Sequence, residues 1–133
     1  MDTAKIKNKG KSSLEKHAIY SVAQACHHMT KLRSDAEQQL YVVTDEVLFY
    51  KWDALCLSID QQYRDEYLPY VPHVFDLLMS TEDGQDIFDY LVFIEKKIIG
   101  TFPGDILPAG RASHTVDILL KYRNTILDTN QDT

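Results

Sequence analysis

The chain has 133 residues, 44% of them hydrophobic and 26% charged, with a net charge of −6. This suits a single domain that buries about two-thirds of its unfolded surface, and it argues against a disordered chain. The charge is unevenly placed. Residues 1–33 carry seven Lys/Arg against two acids, residues 34–90 carry thirteen acids against Lys51 and Arg64, and residues 91–133 carry five of each. A body whose middle stands at −11 repels phosphate, which argues against nucleic acid and leaves a basic protein partner or plain solubility. No apolar run approaches the ~18–20 residues of a membrane span. The basic start, MDTAKIKNKGKSS, has no apolar stretch behind it and does not read as a secretory signal. Cys26 and Cys56 lack metal-ligand spacing, so the expectation is a cytoplasmic protein with reduced thiols.

Residues 1–11 read as a flexible basic tail. Ser12-Ser13-Leu14-Glu15 has the form of a capping box and predicts a first helix to about Leu32. Its buried stripe would be Leu14, Ala18, Val22, Cys26 and Met29, widened by Ile19 and Ala23. A second box, Ser34-Asp35-Ala36-Glu37, opens a helix through Leu40, Val43, Val47 and Tyr50, and the short linker predicts a tight αα-hairpin. Lys51 to Ser58 is apolar without period and reads as a buried connecting loop with room for an extra turn.

Asp60 can cap a third helix running to Met79, which Pro69 and Pro72 must kink or restart. On that helix Tyr63, Tyr67 and Tyr70 fall in one stripe, extended by Val74, that packs on the core or stands partly exposed. Ser80-Thr81-Glu82-Asp83 caps a fourth helix with Ile87, Leu91, Ile94 and Ile98 on one face, stopped by Gly100. TFPGDILPAG is a loop, and Val116, Leu119, Leu120, Arg123 and Leu127 outline a last helix before a flexible tail, residues 128–133. With no alternating β pattern and no internal repeat, the predicted fold is all-α. It is an irregular bundle of about five helices forming one domain over residues 12–127.

Chemical motifs are scarce. His27 and His28 are adjacent and point about 100° apart on a helix, while His73 and Asp76 share a face but make only two ligands. There is no H-x-x-x-H, C-x-x-C, G-x-S-x-G or glycine-rich phosphate loop. Asp65 and Glu66 diverge because they are neighbours. A hydrolase or metal-dependent enzyme would need tertiary folding to gather Asp53, Glu66 and His73. Nothing in the spacing demands it, so the expectation is a non-enzymatic protein with no metal and no cofactor.

Four stretches carry a resemblance: Val47-Leu48-Phe49-Tyr50-Lys51-Trp52-Asp53, Arg64-Asp65-Glu66-Tyr67, Tyr70-Val71-Pro72 and Val74-Phe75-Asp76-Leu77-Leu78. Over about residues 40–125 the chain resembles a family of small bacterial helical proteins. That family has a W-D-P-I-G-like loop, a D-E-Y-x-x-Y motif with a proline, a leucine pair and a later helix ending in glycine. Tyr90-Leu91 through Ile94-Glu95 to Gly100 matches that later helix. Ala54-Leu55-Cys56 stands where the family has Pro-Ile-Gly, which implies a loop of different shape.

Such proteins are similar to immunity proteins encoded beside bacterial toxins, contact-dependent inhibition systems included. The resemblance implies a small non-enzymatic inhibitor, acidic where its target is a nuclease, and it supplies no catalytic residues. The expected partner is a basic toxin domain covered at its active or substrate-binding surface. The expected contact residues are Asp45, Glu46, Asp53, Asp65, Glu66, Tyr67, Tyr70 and Asp76. The alternative is a small helical regulatory or adaptor subunit that docks a partner unrelated to toxins.

Overall fold

A computed structural model describes residues 17–99 and 110–131. Among these residues five α-helices occur in chain order: α1 Val22–Met29, α2 Asp35–Val47, α3 Val71–Ser80, α4 Gln85–Ile99 and α5 Arg111–Gln131. Between α2 and α3 lie a π-helical turn, Leu48–Trp52, and two 3₁₀ turns, Gln61–Tyr63 and Leu68–Tyr70. No strand occurs among the described residues, and the all-α bundle read from the sequence is the architecture. Helix α2 packs along α5 and α3, and α5 in turn touches α3, α4 and the π turn. Among the described residues, no helix is long and apolar enough to cross a membrane.

The first helix differs from the sequence expectation. The Ser12–Glu15 box and the basic tail lie outside the described residues. α1 starts only at Val22, capped by Ser21: the Ser21 hydroxyl accepts from Gln24 N (3.0 Å) and the Gln24 side chain accepts from Ser21 N (2.9 Å). Residues 18–20 are not helical, and Tyr20 N donates to Pro69 O at 3.0 Å instead. The 3.6-residue spacing thus ran across two segments. Ala25 is the buried residue of α1, while Val22, Cys26 and Met29 are exposed. α1 docks on the Leu68–Tyr70 turn and α3, so the expected αα-hairpin with α2 is not its main packing.

α2 opens on the Ser34–Glu37 box as expected, with reciprocal bonds of 3.1 and 3.3 Å. Leu40, Tyr41, Thr44 and Val47 face inward. The widened turn that follows buries Leu48, Phe49 and Trp52 and closes when Asp53 N donates to Leu48 O at 2.9 Å. Asp53 ends it in the left-handed region (φ 38°).

Of the third helix expected from Asp60 to Met79, kinked or restarted at the prolines, the part before Val71 is not regular helix. Asp60 does cap, accepting from Gln62 N at 3.0 Å, but a succession of short turns follows, closed by Arg64 N to Gln61 O, Glu66 N to Tyr63 O and Tyr70 N to Tyr67 O. Regular helix restarts at Val71. Pro69 and Pro72 each sit at the start of an element, where a missing N–H costs no hydrogen bond. The tyrosines are therefore not a helical stripe: Tyr67 is buried, Tyr70 half-buried and Tyr63 exposed.

The Ser80–Asp83 box is displaced as well. Ser80 belongs to α3, its hydroxyl donating to the Asp76 and Leu77 carbonyls, while Asp83 accepts from Gln85 N and Thr81 Oγ1 from Gly84 N. Gly84 carries a φ of +83° and lies so close to α5 that a Cβ there would collide with a Val116 methyl. On α4, Ile87, Leu91 and Ile94 are fully buried and Ile98 partly, as their period predicts; Gly100 and residues 101–109 lie outside the described residues. On α5, Val116, Leu119 and Ile126 are buried, and Arg123 donates to the Leu78 and Thr81 carbonyls at the end of α3. The helix continues to Gln131, into the stretch read from sequence as a tail.

Candidate functional site

Trp52, the single tryptophan of the chain, is fully buried. Its Nε1 donates to Glu95 Oε2 at 2.9 Å, and its ring centroid lies 5.5 Å from that of Tyr67 and 6.2 Å from that of Tyr70. From the first turn of α5, Arg111 donates to the Trp52 and Asp53 carbonyls at 3.0 and 2.7 Å, filling acceptors that a helix end leaves open.

Asp53 is the centre of the turn that follows. Only 8% exposed, it accepts from Leu57 N (2.7 Å), from the Tyr67 hydroxyl (2.7 Å) and from Ser58 N (3.1 Å). The Tyr67 hydroxyl also accepts from Leu55 N at 2.8 Å, so one tyrosine and one carboxylate order residues 53–58. Burial disfavours the Asp53 charge, but the bonds from Tyr67, Leu57 and Ser58 outweigh it and hold the carboxyl below its ordinary range. Burial, reinforced by the bond to Asp53, pushes the Tyr67 phenol up. Glu95 goes the other way from Asp53: burial raises its carboxyl, against the pull of Trp52 and Arg111.

Asp45 and Arg64 form the only ion pair among the described residues, a bidentate contact of 3.1 and 3.0 Å. The guanidinium also lies over Phe49 (4.9 Å) and Tyr50 (5.5 Å). Arg64 is the single cation within residues 59–66, and this contact ties it back onto α2.

The residues expected to meet a partner therefore divide. Asp53 and Tyr67 are buried and serve the frame, which removes them from any contact surface; Asp45 is held by Arg64, and Tyr70 is half-buried against Trp52. Glu46, Asp65, Glu66 and Asp76 are exposed, but on three separate places. Glu46 lines a groove between α2 and α5, Asp65 and Glu66 lie between the two 3₁₀ turns, and Asp76 is on α3. Packing raises the Asp76 carboxyl, with His28 the largest of the neighbours that oppose it.

Sequence reasoning missed an exposed apolar residue beside the acidic run, second in exposure to Leu32 (102%). Ile59 is 96% exposed beside Asp60; Tyr63 (40%) follows four residues on, and Tyr50 (47%) accepts from Gln61 Nε2 at 3.1 Å. The available signal was an isolated apolar side chain in the polar run Ser58-Ile59-Asp60-Gln61-Gln62.

The three residues of the enzyme alternative fall in different environments. Asp53 is buried, Glu66 is exposed, and His73 is buried with its ring 4.6 Å from that of Tyr90. Among the described residues no three His, Cys, Asp or Glu side chains are placed to hold a metal ion, and Cys26 and Cys56 are exposed free thiols. Comparison of the chain with protein-family models, with curated proteins and with solved structures found no match.

Proposed function

We propose that the protein is a non-enzymatic acidic binding protein, an immunity-type inhibitor whose partner is a basic, nuclease-like toxin domain that it covers at the active or substrate-binding surface. One observation carries this reading. Residues 59–66 expose Ile59 and Tyr63 together with Asp65 and Glu66, and neither of these acids is ion-paired among the described residues. The run follows directly on the turn that Asp53 and Tyr67 hold by four hydrogen bonds. An ordered support lowers the entropy cost of binding, exposed acids speed approach to a basic surface, and apolar or aromatic side chains supply the anchoring contacts. The toxin identity rests on the family resemblance alone; the acidic, anchored surface supports the wider reading of a binder of basic protein.

The test is association with the basic partner recovered by cross-linking through position 63 in the native host. Asp65→Lys with Glu66→Lys should slow association about tenfold and flatten its dependence on ionic strength. An on-rate and a salt dependence that stay unchanged would show the acids to be a solvated face only. A recovered partner without toxic activity would favour the adaptor reading.

A further inference from the structure

The groove between α2 and α5 has a different character from the acidic run. Two adjoining depressions of about 300 and 270 Å³ share Ile118 and Tyr122. Val43, Val47 and Ile118 form an apolar floor, and Tyr50 and Tyr122, each nearly half exposed, stand as walls. The charged groups on the rim are Glu46, Lys51 and Lys121, one acid with two bases. No ion pair among the described residues engages any of the three.

This balance decides what fits the groove. A chain of net charge −6 repels its own copy over most approaches, and two copies come together most readily where the local charge is mixed. A twofold axis that crosses the groove between Glu46 and the lysines would set Glu46 of one copy against the lysines of the other and close the apolar floors and tyrosines on each other. The two helices concerned are already packed along one another. Pairing them with their symmetry mates gives a four-helix layer, a stable way to cover an apolar face.

We infer that the α2–α5 groove is the interface of a twofold homodimer, its occupant a second copy of this chain. The inference rests on a different charge balance from the toxin reading and on side chains of α2 and α5 rather than residues 59–66, with Tyr50 standing where the two regions adjoin.

Sedimentation velocity of the full chain over about 1 to 200 µM tests it, with a reversible dimer of micromolar dissociation constant expected. Tyr122→Glu places a charge on a half-exposed wall and should weaken dimerisation at least about tenfold with an unchanged helical circular-dichroism signal. Glu46→Lys should also weaken it, and adding Lys51→Glu and Lys121→Glu to that variant should restore it, since the swap rebuilds the same pairs with signs exchanged. A chain that stays monomeric throughout this range overturns the inference. So does a dimer indifferent to Tyr122→Glu, or a charge swap that fails to recover what Glu46→Lys removed.

Discussion

Asp53 and Asp65 lie twelve residues apart in one acidic stretch, and the fold uses them in opposite ways. Asp53 is drawn inside by three donors and held ionised, so that its charge shapes residues 53–58. Asp65 stands in solvent with no ion pair among the described residues, so that its charge acts at a distance. A formal count treats the two alike. What separates them is whether hydrogen-bond donors converge on the carboxylate, since a buried charge survives only when fully bonded. The buried acid also supports the exposed one, because the turn it holds leads into residues 59–66.

The largest expected effect tests whether Trp52 is the centre of that frame. Trp52→Ala would remove its packing against Tyr67 and Tyr70 and leave Glu95 without its indole donor, costing about 3–5 kcal/mol in urea unfolding. A loss of less than about 1 kcal/mol would place the centre elsewhere.

Asp53→Asn keeps the shape but not the charge, and should cost about 1–3 kcal/mol near neutral pH. Its pH dependence sharpens the contrast. The Asp53 carboxyl is depressed, so its stabilisation is complete above the ordinary value of 3.8 and is lost as pH falls through the lower native value. The asparagine variant should lack that part of the acid limb. Glu95 has the reverse sign: its carboxyl lies above the ordinary 4.5, so the native state takes up the proton first and gains stability as pH falls from the native value towards 4.5. Stability curves of the two variants, Asp53→Asn and Glu95→Gln, should depart from the parent in opposite directions over these windows.

The smallest effect on stability belongs to the surface. Ile59→Ser combined with Asp65→Lys and Glu66→Lys should leave the melting temperature in place, since these side chains are exposed and anchor nothing in the core. A clear fall in melting temperature would make the run part of the frame and erase the distinction.

Local signals carried the parts of the fold that local interactions build. The Ser34–Glu37 box, the inward period of Ile87, Leu91 and Ile94, and the apolar side of α5 were all legible because each is settled within a few residues. The failures were non-local. α1 begins late because Tyr20 bonds to Pro69, and residues 60–70 form short turns while Tyr67 reaches back fourteen residues to Asp53. The start of α4 moves to Gln85 because a glycine of positive φ beneath α5 intervenes. At the candidate site, the burial of Asp53 and the exposure of Ile59 depended on a hydrogen-bonded turn that no periodicity announces.

The contact at Gly84 bears on descent. A side chain there meets a Val116 methyl and an unfavourable backbone angle together, so a lineage that keeps α5 at this distance has one residue to choose from. The exposed acids Asp65 and Glu66 are under no such steric restriction. The interior contacts of Trp52, Asp53, Tyr67, Gly84 and Arg111 therefore restrict what each of those positions can hold, where the surface acids touch nothing that restricts them.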